Sequence, residues 1–316
     1  MEEDGRYIPS IRLILTAAIA VLSGGFHFGF QMAILNPMAE VLQHFLMTAF
    51  ERRYHMPVSE SFLRWAWSAL AGSLFIGAAL GAWAGAWMTQ RKGATKTVIA
   101  AAMLLGCSIS LSGFAYLMTS CELFVVSRLF TGFGIGMGTT AHGVLLTEIS
   151  HVNHRGFISS FGGFSTNIGF ILASFLGLPD ILGQPHRWHI AYFIAVAPCV
   201  IVVAYFICCP FDNQNDSEVN DSSPQSTNVS IGVKELLRDV AARKALLLSA
   251  VLNGTVSFSG IIAMSFFGTF MLSQIGFSSR SAAIANCLAS LAGTAGAITA
   301  TLAVDRVSSS WEKRSL

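Results

Sequence analysis

The chain has 316 residues, of which 53% are hydrophobic and only 11% are charged, and its mean hydropathy is +0.61. A chain this apolar is not an ordinary soluble domain, so we predict a membrane protein. The formal net charge of +2 is too small to indicate a class of partner, and we expect the lipid bilayer, not nucleic acid, as its surroundings.

Eight stretches are long and apolar enough to cross a bilayer, because a helix needs about 20 residues to span roughly 30 Å of hydrocarbon. Each segment must satisfy its own backbone hydrogen bonds there, and the absence of regular alternation argues against barrel strands. We therefore predict membrane-spanning helices at residues 12–36, 65–89, 97–118, 123–146, 157–179, 189–210, 245–272 and 281–304.

Basic residues indicate which helix ends face the cytosol, because short cytoplasmic loops carry an excess of Lys and Arg. The loop between the second and third predicted helices contains Arg91, Lys92 and Lys96. Alternating from this loop places most of the remaining basic residues on the same side. The pattern predicts that both termini are cytoplasmic.

Glycines recur four residues apart in the second and fourth predicted helices. Small residues at that spacing let two helix backbones approach closely. We predict close packing here, and helices that slide or rock need the same smooth faces. The residues are Gly77, Gly81 and Gly85 in the second helix and Gly132 and Gly136 in the fourth.

Few ionisable side chains lie inside the predicted spans. Arg128 is the one ionised residue well inside a span, where burying a charge is costly, so we predict that it lines a pocket or locks helices together. His27 and His142 are interpreted as hydrogen-bonded packing residues rather than proton relays. Because no helix interior offers a carboxylate for a proton or sodium ion, the sequence favours downhill movement over ion-coupled pumping.

The sequence contains no chemistry typical of an enzyme. It has no glycine-rich phosphate loop, no cluster with metal-ligand spacing and no nucleophile with an obvious base. Its six cysteines lie mostly within predicted helices, where packing is the expected role. We therefore expect a protein that is not an enzyme and that uses no cofactor or metal.

Residues 127–156 have the sequence SRLFTGFGIGMGTTAHGVLLTEISHVNHRG, in which Glu148 and Arg155 lie between two apolar runs. This stretch closely resembles the fourth helix and following loop of the sugar porters of the major facilitator superfamily, in particular the animal facilitative glucose transporters. That family has an arginine-leucine pair, glycines four apart, then Glu-x-Ser and Arg-Gly. The matching residues are Arg128, Leu129, Gly132, Gly136, Glu148, Ser150, Arg155 and Gly156.

The resemblance extends over most of the chain in the right order. GFQMAILNP at 29–37, RKGA at 91–94, FSGI at 258–261 and VDR at 304–306 are each similar to a family motif. It implies an all-α, multi-pass membrane bundle with the major facilitator superfamily fold. The expected units are an N-terminal six-helix half (1–210), a cytoplasmic linker (211–244), two helices of a second half (245–304) and a cytoplasmic tail (305–316).

For function, the resemblance implies facilitative transport of a hexose or similar small polar solute across the plasma membrane. Two helical halves would open a midplane site alternately to either side. The expected substrate-binding residues are Gln31, Asn36, Arg128, Ser174 and Ser257. Gln31 stands where some proton-coupled relatives have an acid, which agrees with passive movement.

Charged residues at the inner helix ends are expected to form a cytoplasmic latch, with ion pairs that break when the site opens inward. An exposed pair is worth up to about 1 kcal/mol, enough to bias a nearly balanced two-state equilibrium. Anchoring of ordinary loops is the alternative role for these charges. The latch residues are Arg91, Glu148, Arg155, Asp305 and Arg306.

The chain also departs from the family pattern. Gly163 and Ser174 stand where the fifth helix has two sugar-binding glutamines, and Val256 and Ser257 replace a glutamine pair in the seventh. The substrate identity therefore stays open. Because the sequence stops just past the eighth predicted helix, we expect a truncated porter. The alternative is a non-transporting paralogue that senses a ligand or binds a partner such as another transporter chain.

Overall fold

The computed structural model describes residues 10–150, 155–209 and 239–312, and each regular element in these ranges is a helix. This confirms the predicted all-α fold. A short 3-10 turn, Val21–Ser23, separates the first two helices. The helices are α1 (Ile11–Ala20), α2 (Gly25–Ala33), α3 (Ala39–Tyr54), α4 (Glu60–Lys92), α5 (Ala94–Leu117), α6 (Cys121–Ile149), α7 (Arg155–Leu176), α8 (Trp188–Ile194), α9 (Ala197–Cys208), α10 (Val240–Phe258), α11 (Ile261–Gln274) and α12 (Ser279–Glu312).

Within the described residues, five segments are long and apolar enough to cross a membrane, or six if α1 and α2 form one bent span. The five are α4, α5, α6, α7 and the segment Trp188–Cys208, which joins α8 and α9. They lie at the second to sixth predicted spans. Helices α10 to α12 occupy the predicted seventh and eighth spans without being counted among the five, and the seventh is interrupted at Gly260, whose φ is +81°.

The first predicted span, 12–36, is not one continuous helix as the apolar run suggested. Its two helices meet at an angle of 41°, because Gly24 leaves the helical conformation with φ −149° and ψ −62°. A Cβ at Gly24 would collide with the backbone of Gly138 and Thr139 in α6. The bend therefore sits where the first span crosses α6 with backbones in contact.

Helices α4 and α6 pack along the predicted glycine faces. A Cβ on Gly77 would meet the carbonyl oxygen of Leu129, and a Cβ on Gly132 would meet that of Leu74. The prediction of close helix approach is confirmed. This packing fixes α6, and with it Arg128, against the N-terminal helices.

An aromatic cluster fills the core beside the first turns of α6 and α8. The ring of Trp188 lies 5.6 Å from that of Phe124 and 5.1 Å from that of Phe45, measured between centroids. Tyr192, one turn further along α8, is fully buried in the same cluster, 5.8 Å from Phe124. The cluster holds the Tyr192 hydroxyl inside the bundle.

Chain alternation assigns the helix ends to two sides of the membrane. The end of α2, helix α3, the loop 177–187 and the junction 275–278 lie on one side, which we call the α3 side. The ends of α4 and α6 and the start of α7 lie on the other. Helix α12 packs against α7 and α11, whereas α10 has no buried residue.

Candidate functional site

Arg128 is fully buried in α6 and binds the end of α2. Its Nη1 donates to Oε1 of Gln31 at 2.8 Å, and both Nη1 and Nη2 donate to the backbone carbonyl of Gln31 at 3.2 Å. The last carbonyls of a helix lack intrahelical donors and carry partial negative charge. The guanidinium therefore satisfies a carbonyl near the end of α2 and places its charge at the favourable end of that helix dipole.

Three buried polar atoms beside this contact have no hydrogen-bond partner among the described residues. They are Nε2 of Gln31, Nε of Arg128 and the hydroxyl of Tyr192. Tyr192 interacts electrostatically with Arg128. Arg128 is thus a buried cation with an amide partner instead of a carboxylate, beside unused hydrogen-bonding capacity.

Asn36, just past the end of α2, joins the N-terminal helices to α11 and α12. Its Oδ1 accepts from the backbone N–H of Thr269 at 2.8 Å, and its Nδ2 donates to Oδ1 of Asn286 at 3.0 Å. The Thr269 hydroxyl donates to the backbone carbonyl of Asn36 at 2.7 Å. Asn36 is 1% exposed, so both ends of a buried side-chain amide join distant helices.

Two further contacts cross the same boundary. The hydroxyls of Ser174 in α7 and Ser290 in α12 lie 3.1 Å apart, and Oδ2 of Asp180 lies 2.8 Å from Nε of Arg280. All three contacts lie in the half of the bundle nearer the α3 side. We call this boundary the seam, defined by Asn36, Ser174 and Asp180 on the N-terminal part and by Thr269, Arg280, Asn286 and Ser290 on α11 and α12.

The structure therefore divides the five predicted substrate-binding residues into three groups. Gln31 and Arg128 contact each other, and Asn36 and Ser174 both belong to the seam. Ser257 does not join either group, because it is exposed on α10, which buries no residue. Sequence reasoning missed the partners on α12, although polar residues at 286, 290 and 294 recur every four positions in an otherwise apolar run.

The predicted latch residues lie on the other side, and those with described side chains, Arg91, Glu148 and Arg155, form no ion pair with each other. Arg91 instead stacks over the ring of Trp87, 4.5 Å from its centroid. The side chains of Asp305 and Arg306 are outside the described residues. The latch stays a prediction.

Position 163 in α7 is open. Nothing lies within 4 Å of a Cβ built on Gly163. The Nδ2 of Asn167, one turn further along α7, donates to the Gly163 carbonyl at 2.9 Å. The glycine thus leaves free space on the face of α7 that also carries Asn167 and Ser174, four and eleven residues further on. A side chain placed at 163 would project into this space.

His27 is buried one turn before Gln31 and contacts a cysteine. Its Nε2 lies 3.1 Å from Sγ of Cys199, and both residues are at most 2% exposed. A hydrogen-bonded pair of this kind fits the packing role expected for His27. All six cysteines are free thiols.

Comparison with known proteins places this geometry in a family. The family model described as "Sugar (and other) transporter" matches residues 16–211. The chain is 23% identical over 292 residues to human solute carrier family 2, facilitated glucose transporter member 14, covering 84% of this chain and 56% of that protein. It is 24% identical over 292 residues to member 3 from Ovis aries, covering 84% and 59%. The chain thus spans 56% to 59% of the length of these two relatives.

Solved structures show the same fold. The proton:xylose symporter XylE bound to 6-bromo-6-deoxy-D-glucose superposes with a TM-score of 0.68 at 18% identity, covering 93% of this chain and 70% of that one. XylE from E. coli in a partially occluded inward open conformation gives a TM-score of 0.66 at 17% identity, covering 92% and 73%. The expected multi-pass membrane fold is confirmed, and the family is one of transporters, not enzymes. The chain therefore belongs to the sugar transporter family and has the fold of the major facilitator superfamily.

Proposed function

We propose that the chain moves a hexose or a similar small, neutral, polar solute passively across the membrane by alternating access. The observation that carries this proposal is the asymmetry of its polar contacts. The seam is joined near the α3 side by Asn36 with Thr269, Ser174 with Ser290 and Asp180 with Arg280. The charged residues expected to form the latch on the other side make no ion pair with each other among the described residues.

Such an asymmetry fits one state of a two-state carrier, closed at the α3 side and open at the other. In the alternate state the seam would separate while Glu148 pairs with Arg91 or Arg155. The moving units would be the N-terminal half, residues 1–210, and the helices at 245–304, connected by residues 211–244 and followed by a tail at 305–316. Polar contacts of this strength suit the task, because each contributes only about 1 kcal/mol and can break reversibly.

Passive movement is supported by the partner of Arg128. Proton-coupled transport needs a group that gains and loses a proton inside the membrane, usually a carboxylate or histidine. Arg128 binds the amide and backbone carbonyl of Gln31, and neither of these groups titrates near neutral pH. The sequences of α1, α2, α5 and α7 contain no acidic residue, and the buried His27 is paired with Cys199 in a packing contact. The cycle would therefore run downhill in either direction.

The proposed neutrality of the solute rests on the groups available to it. Asn167, Ser174, Asn286 and Ser290 offer amides and hydroxyls, which hydrogen-bond sugar hydroxyls without a charge partner. The open space at Gly163 makes the site roomier and supplies fewer hydrogen bonds than a long amide side chain would. We infer weak affinity for hexoses and tolerance of larger polyols.

The orientation belongs to the same proposal. Arg91 and Lys92 lie in the last turn of α4 and Lys96 in the first turn of α5, on the side opposite α3. Short loops rich in basic residues stay in the cytosol. Both termini would then be cytoplasmic, and the α3 side would face outward from the plasma membrane.

Uptake into proteoliposomes tests the proposal. The full chain is reconstituted, and entry of radiolabelled D-glucose, D-xylose and a larger polyol is followed with and without an opposing pH gradient. We expect uptake that equilibrates without accumulation, that is accelerated by unlabelled substrate inside, and that is unchanged by the pH gradient. Flux no faster than in protein-free vesicles would refute transport, while pH-driven accumulation would refute a passive mechanism.

A second candidate, a ligand sensor or partner-binding chain that does not transport, is favoured by the exposure of α10. Apolar residues such as Leu247 (66% exposed), Leu252 (58%) and Phe258 (94%) are largely uncovered by the described residues. Another transporter chain in the membrane could cover this face. Sugar binding without flux, together with co-purification of a second transporter chain, would favour this alternative over the carrier.

A further inference from the structure

An apolar pocket lies on the α3 side, away from the seam and from Arg128. Its volume is about 320 Å³, and it lies between α3, the first turns of α4 and the first turns of α6. Every lining residue except Glu122 is apolar. The lining residues are Leu46, Met47, Phe50, Val58, Phe62, Leu63, Ala66, Cys121, Glu122, Val125 and Val126.

The mouth of this pocket meets the boundary of the bilayer. Phe62 and Val126, which line it, are 45% and 46% exposed, and both belong to the ends of membrane-spanning helices. Trp65, one turn after Phe62, is 78% exposed, and exposed tryptophans mark the membrane-water interface. The pocket therefore opens where the hydrocarbon tails of the bilayer begin.

An empty apolar pocket in contact with lipid tails is unfavourable. Its lining loses the dispersion contacts that close packing would supply, and water gains nothing by entering because the walls offer it almost no hydrogen bonds. A tail from the adjacent leaflet can enter without leaving an apolar environment. The shape and position of the pocket therefore suit an acyl chain better than a soluble metabolite.

One end of the pocket is polar. Oε1 of Glu122 accepts from the Tyr54 hydroxyl at 2.7 Å and lies 3.3 Å from Nε of Arg53, while Oε2 accepts from the Ser120 hydroxyl at 2.8 Å. The side chains of Arg53 and Glu122 are 57% and 38% exposed, so both remain accessible from outside. A charged head group at this end would meet a guanidinium and a carboxylate side by side.

The charges around this polar end balance. At this rim, Arg53 and Glu122 supply one base and one acid. A zwitterionic head group complements such a rim, since its phosphate can approach a guanidinium while its ammonium approaches a carboxylate. An anionic head group has no ammonium that could approach the Glu122 carboxylate. The rim therefore discriminates in favour of a head group without net charge.

We propose that this pocket binds one acyl chain of a zwitterionic phospholipid from the leaflet on the α3 side, with the head group held at Arg53 and Glu122. The lipid is a structural ligand that fixes α3 against α4 and α6. This site is independent of the proposed transport cycle, because it shares no residue with the seam.

A pair of variants on one helix separates specific binding from general solvation by lipid. Ala66→Phe fills the pocket, whereas Ala69→Phe adds the same ring to an exposed position of α4 that does not line the pocket. The delipidated full chain is titrated with palmitoyl-oleoyl phosphatidylcholine and with phosphatidylglycerol, and bound lipids are counted by native mass spectrometry. We expect one tightly bound phosphatidylcholine on the unaltered chain and on Ala69→Phe, and binding at least tenfold weaker on Ala66→Phe.

The head-group part is tested without altering the apolar walls of the pocket, which covers the case in which Ala66→Phe does not fold. Glu122→Gln should abolish the preference for phosphatidylcholine over phosphatidylglycerol. Glu60→Gln, which loses only an exposed pair with Arg64, should keep the preference. Equal lipid binding by Ala66→Phe and Ala69→Phe would overturn the proposal. So would tighter binding of phosphatidylglycerol than of phosphatidylcholine by the unaltered chain, or occupation by a sterol alone.

Discussion

Nε of Arg280 lies 2.8 Å from Oδ2 of Asp180, and this ion pair connects the loop after α7 to the first turn of α12. The two residues are 100 positions apart in the sequence, yet they close the seam at its rim. The pair is largely exposed, at 68% and 59% for the two side chains. Its contribution should therefore be small and sensitive to salt.

The first prediction concerns this pair. Asp180→Asn should shift the carrier toward the state in which the seam is open, by no more than about 1 kcal/mol, or roughly a fivefold change in population. The measurement is the rate at which a membrane-impermeant thiol reagent modifies a Ser290→Cys variant from the α3 side. This rate should rise when Asp180→Asn is added, because the seam is then open more often. The charge-reversed pair Asp180→Arg with Arg280→Asp should restore the slow rate. Arg64→Gln, which breaks a pair away from the seam, serves as the control and should change nothing.

The second prediction concerns Asn36, whose amide is the most connected group of the seam. Asn36→Ala leaves the backbone N–H of Thr269 and Oδ1 of Asn286 without their partner. Each of these hydrogen bonds contributes about 0.5–1.5 kcal/mol, so the thermal unfolding midpoint in detergent should fall clearly. Asn167→Ala is the matched control, because that amide donates only to the carbonyl of Gly163 in its own helix. Equal midpoints for the two variants would contradict the assigned role of Asn36.

The third prediction follows from the hydroxyls of Ser174 and Ser290, which lie 3.1 Å apart. Cysteines at both positions should form a disulfide under mild oxidation, because the tips of the two side chains already meet. The bond should stop flux, and reduction should restore it. Ser174→Cys paired with Ser257→Cys should not cross-link, since Ser257 lies on the exposed helix α10. Full transport by the cross-linked protein would contradict the role of the seam as a moving boundary.

The sequence predicted the helices far better than the contacts between them. Apolar runs fixed the positions of α4 to α7 to within a few residues, because bilayer thickness sets helix length. The bend at Gly24 was not predicted, because an apolar run does not reveal that the backbone crosses α6 at Gly138. The hydrogen-bond partners of Asn36 were not predicted for a related reason. A contact between Asn36 and Thr269, 233 positions apart, leaves no trace in local spacing.

Arg128 illustrates what sequence reasoning can supply at a site. A charge inside an apolar helix is visible in the sequence, which predicts a role for Arg128, whereas Gln31 is predicted from the resemblance to the sugar porters. Their direct contact, and the role of Arg128 in binding the carbonyl of Gln31, depend on the break that ends α2 at Ala33. That break is visible only in the folded chain.

The fourth prediction compares the two ends of this contact. Arg128→Met removes every donor to Gln31 and leaves a carbonyl and an amide oxygen unsatisfied, whereas Gln31→Met keeps both guanidinium bonds to the backbone. Because hydrogen bonds from a charged group are worth about 1.5–3 kcal/mol each, Arg128→Met should lower the unfolding midpoint more. Measuring both midpoints in one detergent checks the order. The reverse order would mean that burying the charge costs more than its hydrogen bonds return.

The fifth prediction concerns pH and the hydroxyl of Tyr54, which lies on α3 outside the spans. Its hydrogen bond to Glu122, 2.7 Å long, raises the pKa of Tyr54 above the usual value of 10.0, because losing the proton would place two negative charges together. A raised pKa in the folded chain means that the bond stabilises the protein fully below pH 10 and ceases to do so as the pH rises through the folded pKa. Ultraviolet titration of tyrosinate, with the Tyr54→Phe spectrum subtracted, should therefore give a midpoint above 10.0. Glu122→Gln removes the carboxylate and should lower that midpoint. An unchanged midpoint in Glu122→Gln would show that Tyr54 does not depend on Glu122 in solution.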